Sequence, residues 1–297
     1  MKLVSFTKND GLSAATSGIA VVRTDGTVVG LAHDSSLPTT MVDFVALGPS
    51  GLDAAQRVLD DVDAPSINDA MLLAPIRPRN NVMAVGKNYH EHAKEFAESG
   101  FDSLGQTTIP EYPIIFTKAL TSIIGPEDEI TLSSDSTGTT DYEGELGIVI
   151  GPGGSKIAAA DAWDHVYGYT VINDVTARAV QKRHVQFFIG KSAHTFCPMG
   201  PAIVTRDEIP DIASAWLRTM VNGEERQAAQ INDLIFDIPA VIAAISDAVL
   251  LEPGDVIATG TPSGVGIGFN PPKYLQTGDV VTITIDGVGT LSNPVVA

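Results

Sequence analysis

Short apolar runs, broken by glycine, proline and aspartate, recur along the whole chain, and few are long enough for a long helix. Residues 4–6 and 19–22 read as strands, and the turn pair Asp25-Gly26 ahead of Val28-Val29 predicts a hairpin. Residues 52–59 read as a helix after Pro49-Ser50, and 73–80, with two prolines and no period, read as a linker. Beyond it, residues 81–85, 114–118, 166–172, 256–259 and 280–285 read as strands, the last with clean alternation. Residues 143–150 alternate less cleanly before the 151–154 glycine turn. Polar residues 90–96 begin a helix. In a second helix Asp237 caps the N-terminus, Pro239 lies in the first turn, and Ile238, Val241, Ile242, Ile245 and Val249 share one face. The pattern predicts an α+β chain: a small α/β module over 1–72, a linker over 73–80, and a mostly-β domain over 81–297.

Composition narrows the partners. A net charge of −18 over 297 residues repels nucleic acid and anionic membrane surfaces. With 44% hydrophobic and 18% charged residues the chain reads as an ordinary soluble protein. No apolar run reaches the roughly 18 residues a spanning helix needs, and Met1-Lys2-Leu3-Val4-Ser5-Phe6 carries no signal-peptide pattern, so a cytoplasmic location is expected. Cys197 is the single cysteine, which excludes an intrachain disulfide; a buried small hydrophobe is its expected role.

Candidate chemistry starts at Asp141-Tyr142-Glu143-Gly144-Glu145. In an extended segment Asp141, Glu143 and Glu145 share one face about 6.8 Å apart. Glutamates so placed can converge on one divalent cation, which would relieve their repulsion. A solvated acidic strand face remains open on spacing alone, and spacing does not find a third ligand. All-oxygen ligation points to Mg²⁺, Mn²⁺ or Ca²⁺ over zinc. His92 and Glu95, three apart, fall on one face of the helix begun at 90, an arrangement that orients an imidazole as a general base. An exposed surface pair is the alternative reading, and His90 lies on the other side of that helix.

Five ordered motifs then resemble the fumarylacetoacetate hydrolase family: Val85-Gly86-Lys87-Asn88-Tyr89-His90-Glu91-His92, Asp141-Tyr142-Glu143-Gly144-Glu145-Leu146, Asn173-Asp174-Val175-Thr176-Ala177-Arg178 with Gln181, Gly190-Lys191-Ser192, and Thr259-Gly260-Thr261-Pro262-Ser263-Gly264-Val265-Gly266. The resemblance spans about 81–294. It implies a β-roll catalytic domain, a homodimer, and a Mg²⁺ or Mn²⁺ ion held by Glu143, Glu145 and Asp174, with Asp141 as support. It also implies water activation by His92 with Glu95, oxyanion stabilisation by Lys191, and substrate contacts from Arg178, Gln181 and Thr261. The expected reaction is hydrolysis of the C–C bond of a 2,4-dioxo acid to pyruvate and a carboxylic acid, in aromatic or sugar acid catabolism. Alternatives are oxaloacetate decarboxylation, isomerisation or hydration of a 2-oxo diacid at the same site, or a non-catalytic ligand-binding relative. The acyl end of the pocket is expected from the 97–112 and 269–274 segments, with Phe101 and Tyr112, and from Phe187 and Phe188 if these are not core.

Overall fold

The computed structural model describes residues 1–8, 16–101 and 109–297; the part of the expected acyl-pocket segment at 102–108 lies outside them. The chain is mostly sheet with several helices. One sheet of eleven strands runs, edge to edge, through Val28–Gly30, Thr16–Val22, Lys2–Lys8, Cys197–Thr205, Val166–Asn173, Gly144–Ile150, Val256–Ala258, Val82–Gly86 and Ile114–Lys118. Met71–Leu73 and Ile123–Ile124 pair off this path. A second sheet orders Glu224–Gln230, Trp216–Val221, Val280–Ile285, Gly289–Val296 and Ile130–Thr131.

The first seventy residues join the larger sheet. Leu3 pairs with Ile203, and Leu3, Val21 and Phe44 share an apolar cluster with Val149, Cys197 and Val256. Residues on both sides of the 73–80 segment therefore contribute to one sheet and one core.

Burial explains how clearly each element reads in sequence. Val280–Ile285 buries Val281, Ile283 and Ile285 and turns the alternate positions outward, and each buried side chain contributes about 1.5–3 kcal/mol. Every residue of Gly144–Ile150 and of Val166–Asn173 is buried, so both faces are enclosed and alternation fades. The helix Ile238–Ser246 is capped by Asp237, whose side chain accepts from the Ala240 N–H at 2.8 Å. Val249 departs from the expectation: the helix ends before it and its side chain is half exposed.

Candidate active site

Strand register assembles the carboxylates. Gly144–Ile150 lies antiparallel to Val166–Asn173 with Gly144 opposite Asn173, so Glu143 and Asp174 lie side by side at one end of the pair. The Asp174 N–H donates to the Glu143 carbonyl at 2.8 Å, and the Glu143 N–H donates to Asn173 Oδ1 at 3.0 Å. Glu145, on the same strand, turns the same way. One carboxylate oxygen from each of Glu143, Glu145 and Asp174 lies within 4.8 Å of the others, and all three residues are buried. Gly144 allows this packing, because a Cβ there would collide with Thr219 Oγ1 on the second sheet. Asp141 stands apart from the three. It accepts from Arg178 Nε at 2.8 Å and from the N–H groups of Gly266 and Ile267 at 2.6 and 3.1 Å, tying the 261–267 loop to the site.

Buried cations surround the cluster. Lys191 Nζ donates to Glu143 (2.7 Å), Asp174 (2.5 Å) and Thr176 Oγ1 (2.9 Å). Arg178 Nη1 contacts Glu143 at 2.6 Å, and Lys118 Nζ contacts Asp174 at 2.5 Å. Burial alone would raise Glu143, but Arg178 and Lys191 outweigh it and hold the carboxyl below its ordinary range. Glu145 goes the other way: burial, then the charges of Asp174 and Glu143, push it well above the usual carboxylate range. The buried carboxylates Asp141, Glu143, Glu145 and Asp174 thus stand among the buried cations Lys118, Arg178 and Lys191. Three converging carboxylate oxygens, close enough that Asp174 and Glu143 raise Glu145, fit a divalent cation of the Mg²⁺, Mn²⁺ or Ca²⁺ class.

The imidazole stands on the same cavity. In the helix His90–Glu98, His92 is buried and His90 is exposed. His92 Nδ1 lies 3.2 Å from Glu95 Oε2, while Glu95 Oε1 accepts from the Gly264 N–H at 2.9 Å. Gly264, at φ +101°, brings its loop so close to Arg226 that a Cβ would strike the Arg226 carbonyl. The cavity is lined by His92, Glu143, Glu145, Arg178, Gln181, Lys191 and Thr261, with Phe96, Phe116 and Phe187 as an aromatic wall. Of the nine residues given metal, acid–base or substrate roles in the sequence, seven line it, and Asp174 and Glu95 do not. Asp174 reaches it through Lys191, and Glu95 through His92.

These residues lie within the segment that matches the family model "Fumarylacetoacetate (FAA) hydrolase C-terminal", residues 81–296. The chain belongs to the fumarylacetoacetate hydrolase family. It is 43% identical to the oxaloacetate tautomerase YisK of Bacillus subtilis (strain 168) over 270 residues, which is 88% of this chain and 87% of that one. It is 41% identical over 300 residues to the mitochondrial oxaloacetate tautomerase fahd2 of Xenopus laevis, covering all of this chain and 90% of that one. Among solved structures, the fumarylacetoacetate hydrolase of Exiguobacterium antarcticum superposes at TM-score 0.83 with 41% identity, covering 100% and 99% of the two chains. The maleylpyruvate hydrolase of Sphingobium sp. SYK-6, in complex with manganese(II) and pyruvate, superposes at 0.79 with 29% identity and the same coverage. Relatives within this family are thus enzymes, both hydrolases and tautomerases or isomerases. No helix among the described residues is long and apolar enough to cross a membrane.

Sequence reasoning within the family pattern missed three polar residues. Lys118 ends the strand Ile114–Lys118, is fully buried, and bonds Asp174, the Val175 carbonyl and the Lys191 carbonyl. A lysine closing an apolar run was the available signal. Gln227, on an unpredicted strand, accepts from the Gly144 N–H at 3.0 Å and donates to Thr261 Oγ1 at 2.8 Å. Asn88 donates to the Thr259 carbonyl at 2.8 Å, bracing the loop of Thr261 from the other side. Of the aromatic candidates, Phe187 lines the cavity and Phe188 is exposed; Phe101 packs with Phe96 and Tyr274, and Tyr112 is exposed.

Cys197 is buried, and burial pushes its thiol up to about 12. At pH 8 only about one thiol in ten thousand is then ionised, and the thiolate is the reactive form. The native protein is expected to resist iodoacetamide at pH 8, while the urea-unfolded chain takes one label. Rapid labelling of the native protein would contradict this.

Proposed function

We propose that this chain is a metal-dependent hydrolase that cleaves the C3–C4 bond of a 2,4-dioxo acid, releasing pyruvate and a carboxylic acid. The observation that carries this reading is the His92–Glu95 pair on the same cavity as the three carboxylates. Glu143, Glu145 and Asp174 would hold Mg²⁺ or Mn²⁺, which when bound supplies an anchor for a 2-oxo acid and Lewis-acid stabilisation of enolate charge.

The protein's own groups divide the remaining work. Arg178 lines the cavity, and its Nη2 is a buried donor without a hydrogen-bond partner among the described residues, which supports a role in receiving a substrate carboxylate. Gln181 and Thr261 offer further polar atoms on the cavity wall. Glu95, fixed by the Gly264 N–H, holds the His92 tautomer with Nδ1 toward itself and leaves Nε2 for proton transfer. His92 takes a proton from water, the oxygen adds to C4, and Lys191 donates to the developing oxyanion. Collapse breaks C3–C4, giving the carboxylic acid and the enolate of pyruvate. Protonated His92 then returns its proton to C3.

A second reading is keto–enol interconversion of oxaloacetate, favoured by the two tautomerases at 43% and 41% identity. Here His92 would move the proton at C3 with no bond to carbon broken other than C–H. The two readings separate in one experiment with acetylpyruvate, fumarylpyruvate and oxaloacetate, each with Mg²⁺, with Mn²⁺ and with chelator. Hydrolysis predicts equimolar pyruvate and carboxylic acid from the dioxo acids, lost with chelator. Metal-dependent decay of oxaloacetate enol without pyruvate release would establish the second reading instead. Turnover unchanged by chelator would overturn the metal-dependent chemistry.

A further inference from the structure

The side-chain amide of Gln227 can take only one orientation. Gln227 is buried on the strand Glu224–Gln230 of the second sheet, and its side chain reaches across to the first. Its Oε1 accepts from the Gly144 N–H at 3.0 Å, a bond that requires a carbonyl oxygen. Its Nε2 donates to the Pro262 carbonyl at 2.7 Å, a bond that requires an N–H. Exchanging the two atoms would set N–H against N–H and oxygen against oxygen, so the backbone on both sides fixes the amide.

Nε2 also donates to Thr261 Oγ1, at 2.8 Å. A hydroxyl oxygen that accepts an N–H must turn its own proton elsewhere. Thr261 is buried and lines the cavity, and among the described residues no acceptor takes that proton. Accepting the N–H also makes the hydroxyl a stronger donor. The neighbouring Gly260 N–H donates to Glu145 Oε2 at 2.8 Å, so Thr261 stands one residue from a bond to the carboxylate cluster.

We propose that Gln227 is a positioning residue that aims the Thr261 proton into the cavity, so that Thr261 meets the ligand as a hydrogen-bond donor to an anionic oxygen. This rests on the 2-oxo acid reading given above, in which the ligand carries a carboxylate. Gln227 does not line the cavity, and it acts on the ligand through the hydroxyl whose direction it sets.

The test is a calorimetric titration at saturating Mg²⁺ with 2-oxobutanoate, which has no carbonyl at C4 and so is not cleaved. Thr261→Val is expected to weaken binding about 10–100-fold, the range for a hydrogen bond to a charged group. Gln227→Glu keeps an acceptor for the Gly144 N–H but gives the Thr261 hydroxyl a carboxylate to donate to, and should weaken binding by about the same factor. Its Mn²⁺ affinity should not fall; a fall would mark a merely structural role and count against the proposal. In a Thr261→Val background, Gln227→Glu should change affinity by less than about 3-fold, since the hydroxyl it redirects is gone. A full loss in that background would show charge repulsion acting without the hydroxyl and would overturn the proposal, as would wild-type affinity in Gln227→Glu. Should Gln227→Glu fold poorly beside the Pro262 carbonyl, the neutral Gln227→Met is expected to lose about 3–10-fold where Thr261 is present. Undiminished binding in that variant overturns the proposal too. Absence of 2-oxobutanoate binding to the wild-type protein would sink the 2-oxo acid reading, whereas binding indifferent to Gln227 sinks this proposal alone.

Discussion

Replacing Asp174 by alanine is expected to cost about 3–5 kcal/mol of stability, because it leaves buried ammonium groups without their counter-charge. Asp174 is fully buried and receives Lys118 on one oxygen and Lys191 on the other, each at 2.5 Å. Lys118 is itself fully buried, so water cannot take over the role of the missing carboxylate. A Lys118→Met change made in the Asp174→Ala chain removes one orphaned charge and should recover part of the loss, which a double-mutant cycle in urea would measure. Lys118→Met alone should lower Mn²⁺ affinity by about 10–100-fold, the usual cost of removing a group that orients a ligand. Asp174→Ala should lower it further and abolish metal-stimulated turnover. Paramagnetic resonance titration of Mn²⁺ reads both, and unchanged affinity in Asp174→Ala would remove that residue from the metal site.

His92→Ala is expected to lower kcat for pyruvate release by about 10²–10⁴-fold, the range for losing a positioned general base. KM should change far less, since the loss falls in the transition state. His92 is not one of the three clustered ligands, so Mn²⁺ affinity should survive the change. Glu95→Gln should cost less, because it keeps a polar partner for the imidazole while losing the charge that stabilises the imidazolium. A His92→Ala protein that cleaves 2,4-dioxo acids at the full rate would eliminate the proposed base. If that protein still interconverted oxaloacetate keto and enol forms, the second reading would lose its proton carrier too.

How much of this could be seen in the sequence depended on how local the cause was. The helix Ile238–Ser246 was legible because its cap, its proline and its apolar face all lie within ten residues. The same reasoning overran at Val249, where apolar spacing continued after the helix had stopped. The strand Cys197–Thr205 was invisible: it carries Pro198, Gly200 and Pro201, which read as a break, yet it lies centrally in the large sheet. The hairpin of Trp216–Val221 and Glu224–Gln230 was hidden by its polar outward residues. At the site, spacing suggested the pairing of Glu143 with Glu145, and only family resemblance brought in Asp174. The bond from Lys118 to Asp174 spans 56 positions, and no local pattern announces a pairing of that kind.

The pairing of Gly144 with Asn173 has a bearing on how the chain can be altered. What holds the three oxygens together is the alignment of two strands, not the number of residues from Glu145 to Asp174. Residues added between Gly151 and His165 lie outside both strands and leave that alignment alone. One residue deleted inside Gly144–Ile150 or Val166–Asn173 turns alternate side chains to the opposite face. A chain edited that way could keep its sheet while its acidic groups point apart, so metal binding would report strand alignment where a secondary-structure spectrum would not.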